Sequence, residues 1–369
     1  MSGTDETRGV VLLTGCTGFL GRRIVRELAA TGRPVFLPAE RDDLPRAHAL
    51  VARLARRFPG SRGAVTLFAG DLAQPALGLD PAVADRILAE ADVWIHARFA
   101  GPSPSRPPAR AAEANVRAVE GMLAFAHRSR KLRVFALAGG VGVAGDYPGT
   151  FYEDWLDAGQ EFADPLDRAL YDMEVRVRHA RRTLPVLVFR SGIIVGDSET
   201  GDVERDGGLG PLVRFLSALQ VVPRWLPLPG PEGDRRVVPI SPVDYVARGA
   251  LALTASRDNI GLTFCLADPE PPSLRELLDT LTDALSVPRT RALLPAAYQA
   301  AILRLPGVMS IAVRAGDAAG IPLAALRYLA SRNRHDTARA RDALGPAGVS
   351  CPPLGSYLPK ILASHLRAA

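Results

Sequence analysis

The segment Thr14–Gly21, with the sequence TGCTGFLG, places three glycines at intervals of three residues. It follows an apolar run at Val10–Thr14 and opens a stretch in which apolar residues recur with helical spacing. In such a strand–turn–helix, the glycines let the backbone approach a pyrophosphate, which binds to the free N–H groups at the start of the helix. The sequence therefore predicts a dinucleotide-binding turn. Its expected contact residues are Gly15, Thr17, Gly18, Phe19, Leu20 and Gly21.

Two further segments are expected to hold the adenosine half of the dinucleotide. Glu40 and Arg41 stand near the end of the second predicted strand. An acid at this place binds the ribose hydroxyls of NAD, whereas an arginine favours the 2′-phosphate of NADP. Both cofactors stay open, although Arg41 favours NADP, bound with or without turnover. Asp71 and Leu72, after the third predicted strand, are expected to contact the adenine.

Short apolar runs alternate with helical periodicities along the first 192 residues, for example the strand Arg133–Ala138 and the helix Leu166–Thr183. This alternation predicts βαβ units and a doubly wound parallel sheet, an α/β fold of the Rossmann type. We predict an NAD(P)-binding domain over residues 1–192. Residues 193–369 are predicted to form a smaller, mostly helical substrate cap, with 243–266 returning to the first domain.

Several motifs together resemble a known family. Besides the glycine turn they are Gly70-Asp71-Leu72, Asn115-Val116, RSGIIVGDSETGD at 190–202, VVPISPVDYVARGA at 237–250 and DALGPAGVSCPPLGSYLP at 342–359. With them the chain resembles an extended short-chain dehydrogenase/reductase of the NAD-dependent epimerase/dehydratase type. More narrowly, it resembles the thioester-reductase and fatty-acyl-CoA-reductase branch. The resemblance covers nearly the whole chain.

The resemblance implies a catalytic site made of a Ser or Thr after the fifth strand and a Tyr-x-x-x-Lys on the next long helix. Hydride transfer to a carbonyl needs a proton donor, and a tyrosine with a pKa of about 10 is a poor donor near neutral pH. A nearby ammonium group lowers that pKa, while the Ser hydroxyl orients the substrate oxygen.

The matching positions of this sequence hold other residues. Gly139 and Gly140 follow the fifth predicted strand, and Leu166 and Leu170 occupy the Tyr and Lys positions of the helix. Tyr171 is one residue too late, so it is rotated about 100° around the helix and is expected to face elsewhere. The chain has two lysines, and neither follows a tyrosine by four residues. We therefore expect no standard Ser–Tyr–Lys chemistry.

Other departures indicate a remodelled cofactor site. Ala97 and Arg98 follow the fourth predicted strand, where the resemblance implies small residues near the pyrophosphate. Arg98 either clamps a phosphate or an anionic substrate through paired hydrogen bonds or blocks the nicotinamide pocket, and both alternatives stay open. Ser191 stands where the family commonly has proline, with Ile193 nearby at the nicotinamide end. His96 is expected to be a buried core histidine.

Weaker candidates for acid–base chemistry lie in the loop before the helix that carries Leu166. They are Tyr147, Tyr152 and Asp154, each of which borders the expected substrate cleft. A carboxylate there acts as an acid or base only if burial raises its pKa. Arg235 and Arg236 are candidates for holding a carboxylate or a phosphopantetheine phosphate.

Three functional hypotheses follow from these residues. The first is an NAD(P)-binding isomerase, lyase or cyclase acting on a hydrophobic acyl or polyketide-like substrate, either free or bound to a carrier protein, in specialised metabolism. The second is a catalytically silent scaffold or regulator that binds NAD(P). The third is an NADPH-dependent reductase with a replacement proton donor. The substrate class rests on the family branch alone.

Composition excludes several other classes. Hydrophobic residues make up 47% of the chain and charged residues 23%, as in ordinary globular proteins. The net charge of +6 is dispersed without a basic block, so no nucleic-acid partner is expected. The three scattered cysteines indicate neither a disulfide framework nor a metal cluster. The polar start and the absence of a long apolar run predict a cytoplasmic protein with no membrane span, and a homodimer stays open.

Overall fold

The computed structural model describes residues 9–101, 103, 105–204, 207–218, 228–229, 237–287, 290–291 and 333–368. Its strands are β1 Val10–Thr14, β2 Val35–Ala39, β3 Val65–Ala69, β4 Ala91–His96, β5 Val134–Gly140, β6 Gly149–Phe151, β7 Val186–Ser191, β8 Ile193–Gly196, β9 Leu228–Pro229, β10 Ile240–Pro242, β11 Thr263–Leu266, β12 Thr290–Arg291 and β13 Asn333–His335. Its α-helices are α1 Phe19–Thr31, α2 Leu44–Arg57, α3 Pro81–Glu90, α4 Pro108–Ala126, α5 Pro165–Ala180, α6 Gly210–Ala218, α7 Val243–Ala255, α8 Leu274–Ala284, α9 Ala338–Leu344 and α10 Leu354–Ala368.

Seven strands form one parallel sheet in the order β11-β7-β5-β4-β1-β2-β3. The strand β1 lies between β2 and β4, so the order in which the chain adds strands reverses at this point. In open α/β sheets, ligands bind in the crevice that forms at the carboxyl ends of such strands. The predicted doubly wound α/β fold is confirmed.

The sheet strands are apolar on both faces because helices cover each face. On one face, Val11 and Leu13 of β1 pack in a core with residues of α1, α2 and α7. On the other face, Leu12 of β1 and Trp94 of β4 pack with residues of α3, α4 and α5. This alternation along β1 explains why its sequence reads as a continuous apolar run.

The helix α5 and the strand β5 meet at the expected catalytic position, and local contacts set the start of α5 and the end of β5. The carboxylate of Asp164 caps α5 by accepting the N–H of Leu166 at 2.8 Å. The strand β5 ends at Gly140, beyond the predicted end at Ala138, because its ladder with β7 continues through the last two glycines. The end of β5 therefore lies beside the end of β7.

The residues after β7 form a further core and then return to the sheet. The strand β8 pairs with β10, and residues of α6, α8 and α10 pack together around them. The strand β11 lies at the edge of the main sheet beside β7, and α7 packs against α1. The domain division near residue 192 stays a prediction. Much of the stretch between α8 and β13 lies outside the described residues.

Among the residues described, no helix combines the length and apolarity needed to cross a bilayer. The same part of the chain brings no three His, Cys, Asp or Glu side chains together as a metal site requires. Cys16, Cys265 and Cys351 are all free thiols. Burial raises the pKa of Cys16 to about 11, so this thiol beside the glycine turn stays protonated at neutral pH.

Candidate functional site

The glycine turn between β1 and α1 has no room for a side chain at two of its positions. Gly15 has a φ of +81°, and a Cβ there would lie 2.6 Å from the carbonyl oxygen of Ala97 and from the backbone nitrogen of Arg98. A Cβ on Gly21 would overlap the carbonyl group of Gly15. The N–H of Gly18 donates to the Gly15 oxygen at 3.0 Å and closes the turn. This bare backbone is the surface that a pyrophosphate needs to approach the start of α1.

A cleft of about 360 Å³ opens over this turn and reaches the end of β2. A second cavity of about 460 Å³ runs from the end of β2 to the end of β3, and both are lined by Glu40 and Asp42. The predicted cofactor residues that line the first are Gly15, Thr17, Gly18, Glu40, Leu72, Ala97 and Arg98, and those that line the second are Glu40, Arg41 and Asp71. The carboxyl edge of the sheet thus brings together residues that fit a pyrophosphate at the turn and an adenosine beside β2 and β3.

Five predicted cofactor contacts lie outside these two cavities, and one of them is Gly21, which packs against the Gly15 carbonyl in the turn. Phe19 lines a different cleft between α1 and α2, and Leu20 packs against the core. Since their side chains lie elsewhere, Phe19 and Leu20 can contact a dinucleotide only through their backbone N–H groups at the start of α1. Ser191 and Ile193 lie at the end of β7 and the start of β8, toward the other end of the sheet edge. The Ser191 hydroxyl donates to the carbonyl oxygen of Gly139 at 3.4 Å.

The side chain of Arg98 turns toward the adenosine side of the cleft. Its Nη2 lies 2.7 Å from Oε1 of Glu40, and its Nη1 donates to Oδ1 of Asn115 at 3.3 Å. Asn115 is fully buried on α4 and also binds both backbone polar groups of Ala100, at 2.7 and 3.0 Å. The sequence motif Asn115-Val116 indicated the family but not this structural role. The Arg98 guanidinium thus lies toward the β2 side of the cleft, away from β7.

His96 lies in the sheet beneath the cleft. Its Nδ1 is 2.8 Å from the hydroxyl of Thr14, and its Nε2 has no hydrogen-bond partner among the described residues. Burial first, and the charge of Arg98 second, lower the pKa of His96 to about 3. The ring is therefore neutral at physiological pH and is no proton donor to the cleft.

The end of β5 faces the catalytic positions of α5. A Cβ on Gly140 would lie 3.3 Å from Cδ1 of Leu170, and a Cβ on Gly142 would lie 3.1 Å from the same atom. Leu166, one turn earlier on α5, is partly exposed like Leu170. Leu170 therefore lies beside the end of β5, while the match of these glycines and leucines to the family's catalytic positions stays a prediction. This region, which we call the catalytic corner (Gly139, Gly140, Leu166 and Leu170), presents no hydroxyl or amine from its own side chains.

Tyr171 faces away from the catalytic corner. Its ring centroid lies 5.2 Å from that of Phe162, and the guanidinium of Arg168 lies 5.3 Å from the centroid of the tyrosine ring. Partial burial, with the nearby charge of Asp157, raises the pKa of its hydroxyl. A raised pKa makes the phenol a weaker acid, so neither its position nor its pKa favours Tyr171 as the proton donor that the family resemblance implies.

The weaker candidates of the preceding loop belong to an aromatic cluster and an ion pair. The rings of Tyr147 and Tyr152 both contact Trp155, with centroid distances of 5.6 and 4.8 Å. Asp154 pairs with Arg339 at 2.6 Å, and the hydrogen bond from Arg339 lowers the pKa of this carboxyl. An acid or base working near neutral pH needs a raised carboxyl pKa, so the structure does not favour Asp154 for that role. Arg235 and Arg236 lie outside the described residues.

A buried ion pair that the sequence did not reveal joins α5 to β7. Glu174, fully buried one turn beyond Leu170, binds Arg190 through both oxygens, at 2.7 and 2.9 Å, and also binds Arg178. Burial raises the pKa of Glu174, but the charges and hydrogen bonds of Arg190 and Arg178 outweigh it, so the net pKa is lowered. The pair holds the α5 helix against the sheet and so fixes the position of Leu170. Spacing along the sequence gives no signal for such a contact between two distant elements.

Comparison with known proteins decides the family. The model of the NAD-binding family NAD_binding_4, described as Male sterility protein, matches residues 13–250, more than half of the chain. The chain belongs to this family. Its members are NAD(P)-binding short-chain dehydrogenase/reductase proteins, so the predicted resemblance, the thioester-reductase-like branch and the NAD(P) cofactor are confirmed.

The relatives of this Male sterility family member include two proteins that are named as synthases. The chain is 26% identical over 279 residues to a linear gramicidin synthase from Brevibacillus parabrevis, which is 72% of this chain and 5% of that protein. It is 30% identical over 288 residues to the isonitrile lipopeptide synthase of Mycobacterium tuberculosis, which is 69% of this chain and 11% of that protein. The chain thus spans a small part of these relatives.

A solved structure shows the same fold. The terminal R domain from the myxalamid PKS-NRPS biosynthetic pathway superposes with a TM-score of 0.76 at 22% identity. The match covers 99% of this chain and 92% of that domain. The described residues therefore share the overall fold of that R domain.

Proposed function

We propose that this NAD(P)-binding protein acts on a hydrophobic acyl or polyketide-like substrate in specialised metabolism, and that it does so without transferring a hydride. The reaction class is an isomerisation, elimination or cyclisation promoted by holding the substrate in a reactive conformation. The observation that carries the proposal is the contact of Leu170 with the end of β5 at the catalytic corner. By the family resemblance, leucines there stand at the positions of the tyrosine and lysine.

Reduction of a carbonyl requires a proton for the developing alkoxide as the hydride arrives. Leu166 and Leu170 supply none, and Tyr171 and His96 lie outside the catalytic corner with pKa values shifted away from neutral. The same leucines offer a surface on which an alkyl or acyl chain loses contact with water. The corner is thus better suited to binding an apolar chain than to protonating an alkoxide.

The substrate class is supported by the relatives rather than by the geometry. Two of them are named for the synthesis of a linear gramicidin and an isonitrile lipopeptide, which are peptide and acyl-peptide products. An acyl group presented on a carrier protein is therefore the substrate form that we propose for this chain. A bound NAD(P) would supply hydride chemistry where a proton donor accompanies it, and in this chain the glycine turn and the β2 edge would hold it.

The test uses the full chain with NADPH and a panel of acyl and polyketide pantetheine thioesters. We expect a product of unchanged mass, or of mass lowered by one water, with no nicotinamide oxidised. A Leu170→Asn variant should lose this conversion while its NADPH affinity stays the same. Oxidation of one NADPH per product would identify a reductase instead. Binding of NADPH with no conversion of the panel would identify a silent binding protein.

The reductase alternative has one specific observation in its favour. Ser191 pairs with Gly140 in the β5–β7 ladder, and its hydroxyl lies 3.4 Å from the Gly139 oxygen. The Ser191 hydroxyl therefore lies on the strand next to the one on which the family has its serine, and neighbouring strands are about 4.8 Å apart. A Ser191→Ala variant separates the two functions, because it should abolish reduction under this alternative and leave a non-redox conversion unchanged.

A further inference from the structure

The ion pair between Arg98 and Glu40 spans the floor of the dinucleotide cleft. Arg98 follows β4 and Glu40 follows β2, and β1 lies between these two strands in the sheet. The two side chains therefore meet above the carboxyl end of β1, over the glycine turn. The Arg98 side chain is 15% exposed and that of Glu40 30%, so water screens this pair less than it screens an ordinary surface ion pair.

Arg98 is held in this position from a second side. Oδ1 of Asn115 accepts from Nη1 of Arg98, while the same amide fixes the backbone of Ala100. The guanidinium carries more N–H donors than these contacts use. An arginine whose stem is fixed in this way loses little further conformational entropy when it binds an anion.

The pair changes what Glu40 does to a dinucleotide. An acid at the end of β2 binds the ribose 2′-hydroxyl and repels a 2′-phosphate. The positive charge of Arg98 offsets the negative charge of the Glu40 carboxylate. The planar guanidinium also brings free N–H groups to the end of β2. Arg98 follows β4 and not β2. The sequence around the second strand therefore gives no sign that an arginine lies at this subsite.

We infer that Arg98 is the residue that selects a 2′-phosphorylated dinucleotide in this chain, and that it does so by exchanging Glu40 for the 2′-phosphate as its partner. Glu40 keeps the guanidinium over the ribose subsite until the phosphate arrives. The inference rests on the binding of NAD(P), which the family establishes, and not on the proposed reaction. It therefore stands or falls independently of what the catalytic corner does.

The test measures binding with a matched pair of fragments that never reach the nicotinamide end. Adenosine 2′,5′-bisphosphate and adenosine 5′-monophosphate differ only by the 2′-phosphate, and calorimetry gives the Kd of each for the full chain. For Arg98→Gln we expect the bisphosphate to bind at least about tenfold more weakly, the loss of one charge-assisted contact. The affinity of the monophosphate should stay within about threefold. The Glu40→Gln variant should keep the preference for the bisphosphate.

Two variants serve as comparisons. Arg117→Gln removes an exposed arginine of α4 whose partner is Glu113 at 3.7 Å, and it should leave both affinities unchanged. Arg41→Gln tests the arginine that the sequence favours at the β2 end. A loss of bisphosphate binding in Arg41→Gln with none in Arg98→Gln would overturn the inference, as would tighter binding of both fragments by Arg98→Gln, which marks a blocking residue. A thermal melt of each variant confirms that it is folded.

Discussion

At the scale of single residues, Leu166 and Leu170 of α5 bear most directly on the proposed function. We predict that Leu166 and Leu170 stand where the family has its tyrosine and lysine, and in the structure Leu170 lies beside the end of β5. Because the glycine side of the catalytic corner also lacks a hydroxyl, restoring only the helix leaves the substrate oxygen without an orienting group.

We therefore expect a Leu166→Tyr, Leu170→Lys double variant to show no NADPH-dependent reduction of acyl thioesters or aldehydes. The measurement is nicotinamide absorbance together with product mass. Adding Gly140→Ser to the double variant is the matched comparison, because it supplies the hydroxyl. Clear reduction by the double variant alone would mean that another group, such as Ser191, already orients the carbonyl.

The glycine turn gives a second prediction. A Gly15→Ala variant forces a side chain into a φ of +81° and against the backbone of Ala97 and Arg98. We expect it to weaken NADPH binding by at least about tenfold, measured by nicotinamide fluorescence, because the strained turn no longer admits the pyrophosphate. Gly60→Ala is the control, since a Cβ there meets nothing within 4 Å. Equal binding by both variants would show that the cofactor does not contact this turn.

The sequence was enough to select the candidate site residues, but it did not show which side chains they contact. The glycine spacing and the missing Tyr-x-x-x-Lys follow from counting positions. The contact of Arg98 with Glu40 depends on the strand order, which brings the ends of β4 and β2 to either side of β1. A single sequence does not contain that order, so it does not show that Arg98 and Glu40 meet.

At the scale of elements, the ion pair between α5 and β7 decides how well the catalytic corner is held. Removing one partner of a buried pair leaves the other charge buried and unpaired. For Glu174→Ala we expect the free energy of unfolding to fall by about 3–5 kcal/mol, measured by urea denaturation. Asp172→Ala breaks an exposed pair with Arg168 on the same helix and should cost about 1 kcal/mol or less. Similar losses in both variants would mean that burial adds nothing to the pair.

The same pair predicts a pH dependence. The pKa of Glu174 is lowered in the folded chain, so its contribution to stability is complete above the unfolded value of about 4.3. That contribution is lost as the pH falls from there through the folded pKa, because the unfolded state takes up the proton first. In urea titrations below pH 5, the difference in stability between the wild type and Glu174→Gln should shrink. A difference that stays constant down to pH 3 would contradict this assignment.

Element types were predicted well where periodicity is strong and less well at the ends. The helix predicted over Leu166–Thr183 is α5 at Pro165–Ala180, and its start follows from the Asp164 cap. The strand predicted to end at Ala138 continues to Gly140, because pairing with β7 outweighs the low strand propensity of glycine. That extension matters, since it places Gly140 against Leu170.

At the scale of the whole molecule, the alternation of strands and helices was enough to predict a doubly wound sheet. Residues 243–266, which contain β11, were predicted to return to the first domain, but the order of the seven strands and the place of β11 beside β7 came only from the structure. Pairing between strands that are far apart in the chain leaves no pattern in the local sequence. Burial of both sheet faces does leave one, because each strand then reads as a continuous apolar run.

A ligand that binds only the folded chain must stabilise it. At a hundred times its Kd, NADPH should raise the free energy of unfolding by about 2.7 kcal/mol, and the melting temperature by a few degrees. Thermal melts with NADPH, with NADH and without ligand measure the effect, and the Gly15→Ala variant is the control. No shift with either nucleotide at saturating concentration would contradict cofactor binding by this chain.

The contact between Gly140 and Leu170 also bears on how the chain can change over generations. Any side chain returning at position 140 meets Leu170 at 3.3 Å, so the leucine must first give way. A lysine returning at position 170 gains nothing while the tyrosine and the hydroxyl are missing. If the corner works as we propose, no single substitution gives it the tyrosine, lysine and serine of a reductase, and each partial change costs packing without adding chemistry. On that proposal, a reaction on the apolar surface is more accessible to this chain by mutation than carbonyl reduction is.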